Sequence, residues 1–269
     1  MNEINLIMKQ AKETLRSNGI DEREARLLLA FALGVNANDL IKYTECSEEA
    51  AEKFREVLQK RVSGMPYAYI TGTKEFMKLN FKVNENVLIP RPETELLVEE
   101  ALKCDAKDVL DMCTGSGCIA ISMAYYQKGA NVTAVDISEK ALEVAKENAD
   151  MNGVCVNFVQ SDLFEKVSGK FDLILSNPTY IKTAVISELS KEVKNEPQLA
   201  LDGGESGLAF YEKIATEARD FLKENGKILL EIGFDQGQGV KEILEKNDYK
   251  NIEIIKDLSG NDRIIVCEM

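Results

Sequence analysis

The chain has 269 residues, 33 basic and 46 acidic side chains, a net charge of −13 and no histidine. Without histidine there is no Ser-His or Cys-His nucleophile and no imidazole base. So large an acidic excess argues against direct nucleic-acid binding, because such surfaces carry the opposite sign.

The first residues, Met1-Asn2-Glu3-Ile4, lack the basic and apolar regions of a signal peptide. No apolar run reaches the roughly 18 residues of a membrane span. A cytoplasmic protein with no membrane partner is expected. Ile4, Ile7, Met8, Ala11 and Leu15 recur at helical spacing until Asn18-Gly19. Asp21 with Glu24 predicts a capping box ahead of a helix over 25–33, closed by Gly34. Ser47 is the expected N-cap of a helix carrying Ala51, Phe54, Val57, Leu58 and Val62 and ended by Gly64. No catalytic constellation falls here. Residues 1–72 read as a small helical domain, either a plain bundle or a cap that recognises substrate.

The stretch Gly64-Met65-Pro66-Tyr67-Ala68-Tyr69-Ile70-Thr71-Gly72 marks a structured joint. Phe76, Leu79, Phe81 and Val83, then 87–89, flank Asn84-Glu85-Asn86, which predicts a β-hairpin linker over 73–91. Pro90-Arg91-Pro92 forms a rigid corner. Pro92 suits the first turn of a helix, and Glu93 and Glu95 favour its positive end. The corner leads into a domain over 92–269, so Arg91 is a candidate for shaping its pocket.

That domain alternates strand and helix. Strands are expected at 107–112, 131–136, 156–160, 171–176 and 227–232. Helices are expected over 118–126, from Ser138 to about Gly153, through Leu208 to Leu222 with Gly226 as the stop, and over 237–246. The chain then gives 251–258 and 263–268, joined by the short turn Ser259-Gly260-Asn261, so these two strands must be antiparallel. The six cysteines, Cys46, Cys104, Cys113, Cys118, Cys155 and Cys267, form no Cys-x-x-Cys pair. Reduced thiols and no metal site are expected.

Gly115-Ser116-Gly117-Cys118-Ile119-Ala120 fits G-x-G-x-x-G/A between a strand and a helix, where backbone and helix N-terminus approach a ligand. Asp136 ends the next strand about 20 residues on, where an acid accepts hydrogen bonds from a ribose diol. A nucleoside cofactor is therefore expected, and both NAD and S-adenosylmethionine fit this much. Asp111 places a carboxylate near the cofactor's cationic end, where NAD would need a pyrophosphate cradle. Asp162, before Leu163, offers an acceptor to an adenine amino group. With a reversed last strand, these acids favour S-adenosylmethionine held by Asp111, Cys113, Thr114, Gly115, Ser116, Gly117, Asp136, Asp162 and Leu163.

Residues 171–176 form an apolar run typical of a strand buried on both faces, stopped by Asn177-Pro178. An amide and Tyr180 are thus left at the carboxyl edge of the sheet, where α/β folds bind ligands. Asn-Pro alone would be an ordinary turn. Together with the glycine loop and the corner at 88–95, it is more specific.

On these motifs, and on Glu75-Phe76, Glu196-Pro197, Ala200-Leu201, Gly203-Gly204, Glu231-Ile232-Gly233 and Asp262-Arg263, the chain resembles the PrmC/HemK family of release factor glutamine methyltransferases over nearly its whole length. The resemblance implies a class I S-adenosylmethionine-dependent methyltransferase: an α/β domain with a seven-stranded, mostly parallel sheet and an antiparallel last strand, plus a small helical N-terminal domain and a hairpin linker. It also implies methylation of the glutamine in the Gly-Gly-Gln loop of class 1 peptide release factors. In that reading Asn177, Pro178 and Tyr180 are catalytic. Asn177, Pro178, Thr179, Tyr180 and Arg91 contact substrate, and Asn177 also borders the cofactor. The family usually has Asn-Pro-Pro-Tyr, and Thr179 departs from it. Alternatives are an adenine-N6 methyltransferase on DNA or RNA, which uses the same motif on a flipped base, a catalytically weak cofactor-binding adaptor, and, more distantly, a dehydrogenase.

Overall fold

The computed structural model describes residues 3–269. It has two units: one holds the chain up to Gly72 together with Lys191–Asn195, the other Thr73–Ser190 and Glu196–Met269.

In the first unit the apolar stripes wind into α1 (Glu3–Ser17), α2 (Glu24–Leu33), α3 (Glu48–Val62) and the short α4 (Tyr67–Thr71). Leu15, Leu28, Leu29 and Phe54 sit in their common core. Gly34 ends α2 at φ 68, and the Ser47 hydroxyl accepts the Ala50 N–H at 3.2 Å to start α3. The expected capping box at Asp21 does not form. Asp21 instead accepts the Arg23 N–H at 2.9 Å, and Glu24 is taken by Arg61. A buried guanidinium must be paired. Arg61 is 5% exposed and binds Glu24 at 2.6 and 3.0 Å and Glu192 at 3.0 Å, so it outcompetes a solvated cap for Glu24.

The second unit opens with β1 (Thr73–Phe76) and β2 (Leu79–Lys82), an antiparallel pair. This corrects the hairpin expected around 84–86. The turn is Met77-Lys78, both in the left-handed region at φ 49 and 59, and 87–89 is not a strand. A two-residue turn of this type usually announces itself with Asn-Gly, which is missing here. The Met77 N–H, donated to Glu95 at 2.7 Å, supports the turn instead. Asn84 makes a local side-chain turn, accepting from Asn86 N at 3.0 Å.

There follow α5 (Pro92–Leu102), β3 (Asp108–Met112), α6 (Cys118–Tyr126), β4 (Asn131–Asp136), α7 (Glu139–Asn152), β5 (Asn157–Gln160), β6 (Phe171–Ser176), α8 (Thr183–Ile186), α9 (Ala209–Glu217), β7 (Leu222–Glu231), α10 (Gly237–Lys246), β8 (Lys250–Lys256) and β9 (Asp262–Glu268). The sheet order is β5-β4-β3-β6-β7-β9-β8. Pairs from β5 through to β7 are parallel, and β9 lies antiparallel between β7 and β8. The expected seven strands and reversed last strand are present. The helix expected through 222 stops at Glu217. A 3-10 turn follows, and β7 begins at Leu222, opposite Phe171. The register then jumps to Leu173–Lys227, so Gly226 lies inside the strand. Leu222 is buried whether the backbone is helical or extended, so spacing alone could not locate the change.

Successive β6 side chains alternate between the two core layers. Ile174 joins Tyr211 and Ile214 on one face, and Leu173 and Leu175 join Leu97 and Ile119 on the other. After β3 the chain builds outward through β4 and β5, then returns to place β6 on the other side of β3. That reversal is the switch point where such sheets bind ligands. Among the described residues no helix is long and apolar enough to cross a membrane.

Candidate active site

A cavity of about 460 Å³ opens at the carboxyl ends of β3, β4, β5 and β6, within the range of roughly 300–1,000 Å³ for small-molecule sites. Its wall takes Met112, Cys113 and Gly115 from the first loop, Asp136 and Ile137 after β4, Ser161, Asp162 and Leu163 after β5, and Asn177 and Thr179 after β6. Glu85 and Val87 close it on one side, Leu199, Phe210 and Lys213 on another.

The glycine loop is braced from below. Asp111 is fully buried; its Oδ2 accepts the Thr114 hydroxyl at 2.5 Å and the Ala120 N–H at 3.1 Å, and its Oδ1 has no partner. Burial, the main cause, pushes its carboxyl up to about 7. Gly115, at φ 55, donates its N–H to Asp136 Oδ2 at 2.8 Å, and Asp136 Oδ1 accepts from Ser138 N at 2.9 Å. Burial raises the Asp136 carboxyl and these two N–H groups oppose the shift. At Gly117, which has φ 81, a Cβ would lie 3.1 Å from Ala145 Cβ, so glycine lets α6 start this close to α7. Of the residues expected here, Cys113, Gly115, Asp136, Asp162 and Leu163 face the cavity, whereas Asp111, Thr114, Ser116 and Gly117 lie outside its lining.

On the β6 side, the Asn177 amide donates through Nδ2 to Thr94 Oγ1 at 3.2 Å. Pro178 is buried, and Thr179 lines the cavity while its hydroxyl oxygen is buried without a partner. Tyr180 turns to the interior and donates its hydroxyl to Glu231 Oε1 at 3.4 Å. Burial and the Glu231 charge keep that phenol protonated. The backbone beyond is clamped. Gln236 donates to the Tyr180 carbonyl at 3.0 Å, Gly203 N donates to Ile181 O at 2.8 Å, and a Cβ on Gly203 would lie 2.7 Å from Tyr180 Cα.

Arg91 is not part of the cavity wall. Its guanidinium pairs with Glu196, whose other oxygen accepts the Ile89 N–H at 3.0 Å. Sequence reasoning quoted Glu196, Gly203 and Glu231 as motif matches without giving them tasks, and it did not single out Thr94 or Gln236. The only local signal for Thr94 was its place inside the Pro-Glu-Thr-Glu helix start.

Residues 92–195 match the model of the methyltransferase small domain, and 7–72 that of the PrmC N-terminal domain. The release factor glutamine methyltransferase of Moorella thermoacetica is 40% identical over 270 residues, covering 96% of this chain and 95% of its own. That of Lactococcus lactis is 46% identical over 224 residues, covering 81% and 83%. The chain belongs to the release factor glutamine methyltransferase family. A solved methyltransferase from Pyrococcus furiosus shares the fold, with a TM-score of 0.57 at 21% identity over 81% of this chain and 98% of that one. The release factor glutamine methyltransferase family thus accounts for both units, and the expected class I methyltransferase fold and enzyme class hold.

Proposed function

We propose that this enzyme transfers the methyl group of S-adenosylmethionine to the side-chain nitrogen N5 of the glutamine in the Gly-Gly-Gln loop of class 1 peptide release factors, and that the cavity at the β3–β6 edge holds the cofactor. The observation that carries this is Asn177, on the cavity wall with its NH2 end tied to Thr94. Its oxygen end is left for a substrate amide.

The residues present fit the cofactor. The wall is acidic, with Glu85, Asp136 and Asp162 against Lys213, which suits a cationic sulfonium. Asp136 is already fixed by two N–H groups and keeps lone pairs for a ribose diol. The bound cofactor would supply a methyl group activated for displacement. The chain's part is orientation and charge placement. A glutamine amide nitrogen is a weak nucleophile because its lone pair is delocalised into the carbonyl. The Asn177 Oδ1 and Pro178 carbonyl are assigned one N–H each, which fixes the nitrogen and offsets positive charge building on it. Tyr180, anchored on Glu231, is assigned to flank the amide plane. The methylated nitrogen is acidic enough to give its proton to water without an imidazole base, which agrees with a chain lacking histidine. Thr179, Leu163 and the Cys113–Gly117 loop complete the proposed site, with Arg91 acting through Glu196. The helical unit, which carries no chemistry of its own, is assigned to holding the protein substrate, and the site of action is the cytoplasm.

The test is transfer of labelled methyl from S-adenosylmethionine to an intact class 1 release factor, to its Gln→Ala variant and to DNA. Label in the intact factor alone is expected. Label in DNA would favour the adenine-N6 reading, and label in none would reduce the protein to a binding adaptor.

A further inference from the structure

We infer that Thr94 and Glu231 are positioning residues that decide which end of the Asn177 amide faces the substrate. The inference rests on the function proposed above.

Thr94 lies on the first turn of α5 and Glu231 at the end of β7, and they are 2% and 1% exposed. Asn177 lies 83 residues from Thr94 in the chain and meets it at 3.2 Å. A threonine hydroxyl has one proton to give and lone pairs to receive, whereas an ionised carboxylate only receives. Burial raises the Glu231 carboxyl, and the Thr94 hydroxyl beside it opposes that shift; Glu231 Oε2 is buried without a hydrogen-bond partner. Once Glu231 is ionised, its open Oε2 is assigned the Thr94 proton, and the Thr94 lone pair must then be met by a donor. On Asn177 that donor is Nδ2. The NH2 end is committed to the protein and Oδ1 is presented as an acceptor. The opposite rotamer would set an NH2 against the substrate NH2, two donors face to face.

Glu231 also receives the Tyr180 hydroxyl at 3.4 Å. The side chains on both sides of Pro178–Thr179 therefore hang from one buried carboxyl, Asn177 through Thr94 and Tyr180 directly. A carboxyl buried with one oxygen lacking a regular partner is costly for folding. The polarity it imposes on Asn177 is a reason for its presence that stability does not supply.

The experiment measures kcat, KM for release factor and cofactor affinity in the full-length parent, Thr94→Val, Thr94→Ser and Glu231→Gln, with melting temperatures alongside. Thr94→Val keeps the shape and loses the hydroxyl. Its kcat should fall ten- to a hundredfold, on the scale of a small misplacement of a reacting group, with cofactor affinity unchanged. Thr94→Ser should recover most of the lost rate. Glu231→Gln carries the same sign as Thr94→Val, with a melting temperature at pH 8 no lower than the parent's, and it serves if Thr94→Val does not fold. A kcat within threefold of the parent in folded Thr94→Val or in Glu231→Gln overturns the inference, as does a serine variant as slow as the valine. A parent that labels no release factor overturns the functional reading itself, and the relay with it. A parent that labels the factor while the variants keep pace overturns the relay alone.

Discussion

Gly203 offers a direct way to move the substrate motif without touching its side chains. Replacing it by alanine sets a Cβ 2.7 Å from Tyr180 Cα and 2.8 Å from the Thr179 carbonyl oxygen, where ordinary contact begins at 3.4 Å. Those are backbone atoms, so no rotamer change relieves the clash. The strand end must retreat by about 0.7 Å, the gap between 2.7 and 3.4 Å. Overpacking of this kind costs about 1–3 kcal/mol. A displacement of about an ångström at a reacting group can cost roughly a hundredfold in rate. Gly203→Ala is expected to melt several degrees lower and to lose ten- to a hundredfold in kcat on release factor, with cofactor affinity close to the parent's. Calorimetry with cofactor, thermal melting and single-substrate kinetics would read all three. A folded variant with parent-like kcat would show that 177–180 does not need its clamp, and would refute the reasoning.

Asn177→Ala should cut the methylation rate by ~10²–10³, the range for one preorganised polar contact, with a much smaller loss of cofactor affinity; a rate within threefold of the parent would rule it out as the amide-orienting group. Asp136→Ala should weaken cofactor binding by ~2–3 kcal/mol through lost charge-assisted hydrogen bonds, and unchanged affinity in calorimetry would remove Asp136 from the ribose. Thr179→Pro can raise kcat/KM by about two- to fivefold at most, from ~0.4–1 kcal/mol of ordering at 1.36 kcal/mol per decade. Because Gly203 and Gln236 already hold the next residue, the low end is expected, and a gain above tenfold would contradict the clamp. Burial, its largest cause, raises the Glu231 carboxyl from 4.5 to about 7, so the fold holds a proton there that the unfolded chain has released. The parent should lose stability as pH rises from about 4.5 through 7, by at most ~3 kcal/mol for this group. Glu231→Gln should lack that loss, and parallel melting curves of the two proteins from pH 5 to 8 would refute the shift.

Much of the catalytic unit was legible because β3, β4 and β6 are short, largely apolar runs punctuated by Gly, Ser and Asn-Pro. Reading failed where the deciding partner is distant in sequence or the local signal is shared. The Met77-Lys78 turn carries no turn residue and is supported by Glu95, 18 residues on. Asp21 and Glu24 look like a cap, but Glu24 answers a buried charge 37 residues away. The site divides the same way. Asn177, Asp136 and the glycine loop announce themselves by neighbours in the chain. Thr94, Glu196, Glu231 and Gln236 are ordinary helix, loop and strand residues until the fold pairs them across 51 to 107 positions.

The five residues Lys191–Asn195 leave the catalytic half of the sequence to be counted with the helices, where Glu192 meets buried Arg61 and the Asn195 amide donates to Gly64 O at 3.1 Å. The helical part is therefore not a continuous cassette. Grafting residues 1–72 from a relative onto this chain would leave Arg61's position facing a foreign 191–195, and a mismatch there removes one of the two carboxylates that pair the buried cation, leaving Glu24 alone. Chimeras should behave well only when both pieces travel together, so the two stretches are expected to have been exchanged, or to have drifted, as one inherited part.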